Sequence, residues 1–218
     1  MKKLISIVSS LILVSTISSK AEMGMGISGT FISIDGEGTE TTRSSGEVNN
    51  GSSSENEIIP EIFVEMIGDN GGALGISYIP TRDVGSKSRT DAESPEDTDS
   101  DDGTYTAKAE LDNVIKVYGD IPVGSFAGGT TYLALGLQHV ELVTLESLNS
   151  GATYPNKNLF GYTVGLGLKG DLPYGNNLYY KGEVTYTDFE TYEADGAGNK
   201  VKADLDATAA RFSIGYKF

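Results

Sequence analysis

The chain has no cysteine, no tryptophan and one histidine among 218 residues. Without cysteine there are no disulfides and no thiol chemistry, so stability must come from backbone pairing and packing. Basic residues are scarce: Lys+Arg number 16 against 31 Asp+Glu, a formal net charge of −15. That balance argues against nucleic acid, which needs a basic surface. It also argues against docking on anionic lipid, except through divalent cations. Long apolar runs are missing after the first twenty residues. Any membrane span must therefore be built of strands, since a spanning helix needs an unbroken apolar run of about 18 or more.

What the chain does have begins with an export-like segment. Lys2 and Lys3 precede an apolar run over residues 4–17, and Ser19-Lys20-Ala21 offers small residues at the two positions a signal peptidase reads. This layout predicts a signal peptide over residues 1–21, with the mature domain at 22–218. No cysteine follows the run, which excludes lipoprotein anchoring.

Beyond Ala21 apolar and polar residues alternate in segments divided by polar loops, the period-2 signature of strands. The alternation predicts strands near residues 23–34, 57–68, 74–80, 105–118, 130–143, 158–169 and 178–189, with an eighth closing the chain. Residues 36–56, 83–104, 144–157 and 190–200 read as long, acidic loops. Residues 69–72, 119–129 and 170–177 read as turns. Within the turns, Gly119-Asp120-Ile121-Pro122-Val123-Gly124 recurs as Gly170-Asp171-Leu172-Pro173-Tyr174-Gly175, a weak repeat expected once per hairpin.

The final segment, ATAARFSIGYKF, sets Ala210, Phe212, Ile214, Tyr216 and Phe218 against Arg211, Ser213, Gly215 and Lys217. This ending resembles the closing strand of bacterial outer-membrane β-barrels, which finishes on Phe with an aromatic two residues earlier. Tyr216 and Phe218 match that pattern and Arg211 matches its polar opening, while Ser213 stands where the family usually has Gly. The resemblance implies that Tyr216 and Phe218 are the signal read by the barrel-insertion machinery. Over the whole mature chain it is to the small OmpA/OmpX-type barrels. It implies an all-β, eight-stranded, antiparallel up-and-down barrel in the Gram-negative outer membrane, among lipid and lipopolysaccharide, with the long loops outside.

Eight strands leave an interior that side chains fill. The inward positions are expected to hold Glu61, Glu65, Lys108, Glu110, Asp112, Lys116, Lys169, Lys181, Glu183 and Arg211. Buried charges must be paired, so a self-neutralising network that plugs the lumen is expected. That makes the chain a structural or loop-presenting protein, with a narrow porin-like channel as the alternative. Some barrels of the resembled kind modify lipid A, one of them with a His–Ser pair. Here His139 is followed two residues on by Glu141, and no enzyme is expected. Asp97, Asp99 and Asp101 open like a calcium loop, yet Asp102 occupies the turn-glycine position and Lys108 that of the bidentate Glu. Residues 91–102 are therefore expected to attract divalent cations only diffusely, and no cofactor is expected.

Overall fold

A computed structural model describes residues 21–42, 46, 48–91, 103–147, 154–173, 177–195 and 199–218. The signal-like residues 1–20 and the calcium-loop-like residues 92–102 lie outside these. Among the described residues ten strands occur: β1 (Glu22–Thr42), β2 (Val48–Ile67), β3 (Ala73–Ile79), β4 (Arg82–Asp91), β5 (Gly103–Phe126), β6 (Gly129–Ser147), β7 (Lys157–Asp171), β8 (Leu178–Phe189), β9 (Tyr192–Asp195) and β10 (Asn199–Lys217). Eight form a closed antiparallel ring, β1-β2-β3-β5-β6-β7-β8-β10 and back to β1. β4 takes up the place of β3 beside β5, and β9 adds to the far end of β10.

Following one hydrogen-bonded row around the ring gives its stagger. Glu22 faces Ile67, and the row runs on through Ala73, Asp120, Ala134, Gly165, Thr185 and Ala209 to Ile32, ten residues above its start on β1. With about 3.3 Å rise per residue and about 4.8 Å between strands, that stagger tilts the strands by roughly 40°. Closure removes every edge at this level, which a bilayer demands because lipid offers no hydrogen bonds.

The strands are longer than alternation alone suggested. Residues 36–42 and 48–56 were expected as loop but extend β1 and β2, and residues 82–91 and 103–104 pair as β4 and β5. The reason is visible in β10. Arg211 and Ser213 point inward and Phe212 and Ile214 outward, whereas nearer the long-loop end Leu205 and Ala207 are buried and Asp204 and Asp206 lie outside. Each wall changes from apolar-out to apolar-in, so the projecting part has an ordinary hydrophobic core. That cluster includes Ile32, Ile34, Ile59, Leu111, Val140 and Leu205.

Residues 119–129 are not the turn expected of them. β5 continues to Phe126, with a register shift between Pro122 and Gly124, and the reversal is confined to Ala127 and Gly128, whose φ angles of 50° and 81° suit a two-residue type I′ turn. The first copy of the repeat is thus strand, whereas the second begins in β7 and runs past its end. The β2–β3 ladder ends at Ile62 and Tyr78, and its next equivalent position would set Pro60 against Pro80. Neither can donate a ladder hydrogen bond, so β4 follows β5 alone and β2 continues beside β1.

Candidate functional site: a charge-paired lumen

The inner face of the ring is polar where the outer face is apolar. Arg211 on β10 donates from Nη1 to Glu61 Oε1 at 2.7 Å, and from Nη2 to both carboxylate oxygens of Glu183 at 2.8 Å. Lys116 on β5 stands 3.5 Å from Glu61. Nearer the short-turn end, Lys181 lies 2.8 Å from both Glu65 and Asp120, and Lys169 bonds Asp120 at 3.1 Å. Four carboxylates thus meet four cations, all nearly inaccessible to solvent. Such a set is tolerable only because every member has a partner; breaking one pair strands the other charge.

Three tyrosines complete the network. Tyr118 and Tyr179 each donate to Glu65 at 2.8 Å, and Tyr132 donates to Glu183 at 3.1 Å. Their position depends on glycine. Tyr118 lies across from Gly75, Tyr132 from Gly167 and Tyr179 from Gly215. A Cβ on any of these glycines would fall 2.2 to 2.4 Å from the opposing ring. The missing side chain lets the ring lie flat along the wall, which aims the hydroxyl at a carboxylate. Gly167 and Gly215 are visible in the sequence on the small faces of β7 and β10, but the tyrosine partners are set only by register.

Of the residues expected in the lumen, the structure brings together Glu61, Glu65, Lys116, Lys169, Lys181, Glu183 and Arg211. Sequence pattern does not reveal Asp120, which reads as a turn residue, or the three tyrosines. Lys108, Glu110 and Asp112 are not in the lumen, which corrects the expectation. The register shifts between Asp112 and Ile115, with Asn113 at φ 52°, so the faces exchange across this bulge. Lys116 and Val114 point in below it, Leu111 points in above it, and Lys108 is left outside, paired with Asp83 at 2.9 Å and Glu110 at 2.7 Å. Asp112 bonds Thr81.

Above the charges the apolar cluster closes the interior towards the long-loop end, and a cavity of about 20 Å³ remains between the two layers. At the short-turn end an open hollow of about 370 Å³ is lined by Asp69, Lys169, Asp171 and Lys217 among others. Outside, the apolar belt includes Met25, Ile27, Phe31, Ile62, Leu166, Val184, Phe212 and Tyr216. From Met23 to Phe31 on a tilted strand it is about 20 Å tall, close to the lipid-facing band of a barrel. Beyond the belt, Asp35, Asp206 and Asp188 sit side by side on β1, β10 and β8. Partial burial, and then Asp35 and Asp188, raise the Asp206 carboxyl above its ordinary value. His139 meets Phe160 edge-on, 5.3 Å between ring centres. Among the described residues no His, Cys, Asp and Glu group is arranged to hold a metal ion.

An eight-stranded antiparallel ring, apolar outside and charged within, is an outer-membrane β-barrel of the small, side-chain-filled class. Comparison with known proteins agrees. The chain is 33% identical over 87 residues to the 25 kDa outer-membrane immunogenic protein of Brucella canis, covering 40% of this chain and 38% of that protein. It therefore spans well under half the length of the curated relatives it matches. Its fold matches the outer membrane protease OmpT of Escherichia coli, with a TM-score of 0.50 and 9% identity over 93% of this chain and 100% of the other. It matches the outer membrane protein AlkL equally well, with a TM-score of 0.50 and 14% identity over 91% of this chain and 90% of the other. No protein-family model matches the chain.

Proposed function

We propose that the protein is a closed structural barrel that holds long acidic segments at the cell surface, and not a general pore. The observation that carries this reading is the doubly filled interior: a paired charge layer under an apolar layer, with only about 20 Å³ between them. Either layer alone interrupts a water path. In this reading residues 1–21 direct export through the periplasm, and Tyr216 and Phe218 address the chain to the insertion machinery. Lipid and lipopolysaccharide cover the apolar belt, and the short turns face the periplasm. The Brucella relative's description as an outer-membrane immunogenic protein supports a surface-facing role. The likeness to OmpT, at 9% identity, is one of fold and brings no protease activity with it. We read the chain as non-enzymatic, its single histidine being taken up in an edge contact with Phe160.

Conductance of the refolded protein in a planar bilayer is the test. The expected record is flat at physiological voltage, with at most rare brief openings. Steady, ohmic steps would mean a water-filled lumen and would replace this reading with the pore.

A further inference from the structure

We propose that the cavity between the charge layer and the apolar cap is a binding site for a small monovalent anion, held by Arg82 and Arg211. Arg82, the first residue of β4, is 3% exposed, and its Nε and Nη1 have no hydrogen-bond partner. It makes no ion pair with any described residue. It lines the cavity together with Thr30, Glu61, Lys116, Gln138, Glu183 and Arg211. Arg211 Nε and Thr30 Oγ1 are also buried there without a partner.

The charges around the cavity do not cancel. Arg82, Lys116 and Arg211 face Glu61 and Glu183, one positive charge in excess. Glu61, and after it Glu57, half-buried further along β2, act on Arg82 only from beyond ion-pair distance. A guanidinium cannot shed its proton to escape burial. Water would satisfy its N–H groups but leave the charge; an anion does both. The volume fits, since about 10–15 Å³ holds one water-sized sphere and a halide is little larger. A phosphate or carboxylate ligand is too big. Gln138 Oε1, which lines the cavity, is an orphan acceptor, and its Nε2 now serves Thr163 and Thr187. Turning the amide over gives Oε1 a threonine hydroxyl as donor and points Nε2 at the cavity, adding a donor to the site.

The test uses the refolded barrel in phosphatidylcholine vesicles, titrated with urea in sodium chloride or sodium gluconate at matched ionic strength. Near saturation each tenfold rise in chloride should raise the folded-to-unfolded ratio up to tenfold, with no such rise in gluconate. Arg82→Met should abolish the chloride dependence. Should that variant not refold, Thr30→Val, which leaves all charges in place, should weaken the response several-fold. Crystals grown in sodium bromide should show anomalous density beside Arg82. Identical chloride and gluconate curves, an unchanged response in Thr30→Val, or a cavity without a bromide peak would each overturn the proposal and leave water as the occupant.

Discussion

Replacing Arg211 by Met tests the lumen network at its centre. Arg211 is buried and makes three hydrogen bonds of 2.7 to 2.8 Å to two carboxylates on two other strands. With the guanidinium gone, Glu61 keeps only the more distant Lys116 at 3.5 Å as ion-pair partner, and Glu183 keeps the Tyr132 hydroxyl at 3.1 Å. Met fills much of the volume, so the loss is electrostatic and not a cavity. Removing one member of a buried pair costs about 3–5 kcal/mol, two to four powers of ten in the folded-to-unfolded ratio. The measurement is urea unfolding of the refolded barrel in phospholipid vesicles, followed by far-ultraviolet circular dichroism from both directions. Arg211→Met combined with Glu183→Gln should recover at least half of the loss, because Glu183 is then no longer a stranded charge while Glu61 still pairs with Lys116. A single-variant loss below about 1 kcal/mol, the range of an exposed pair, would refute the argument. So would a double variant no more stable than the single one.

Gly167→Val should destabilise the barrel by about 1–3 kcal/mol, the usual cost of overpacking, and detach Tyr132 from Glu183; urea titration and tyrosine fluorescence report the two effects. Asp206→Asn should raise the urea midpoint at neutral pH. The folded carboxyl titrates above its unfolded value, so its favourable contribution is present at low pH and lost as pH rises through the folded pKa; the gap between variant and parent should close on acidification. Deleting Phe218 removes one backbone bond to Met23 and an outward-facing ring. It should lower the amount inserted in cells much more than the stability of refolded protein, measured by membrane fractionation and urea titration respectively.

Period-2 alternation was enough to reveal the strands, their number in the ring and the lipid-facing positions of Phe212, Ile214 and Tyr216. A side chain's face follows from its parity, and parity is a local property of sequence. Most of the charged lumen was legible for the same reason, as with Glu61, Glu65 and Arg211. Where parity breaks, sequence reading failed. The local sign of the bulge is slight, a polar Asn113 interrupting an otherwise apolar face, and that one irregularity moves Lys108, Glu110 and Asp112 to the outside. The pattern in residues 201–206 is as regular as any, but with Asp204 and Asp206 outside its polarity is reversed, and residues 199–200 read as the end of a loop. Only the height of a residue relative to the membrane decides which face should be apolar, and height comes from the tilt and stagger of the closed ring. The pairing partners are likewise tertiary. That Arg211 meets Glu61 and Glu183 while Lys181 meets Glu65 and Asp120 depends on the ten-residue offset around eight strands, which composition and spacing do not contain. The orphaned Arg82 follows from a ladder that stops at two opposed prolines, a juxtaposition that exists only once the strands are in register.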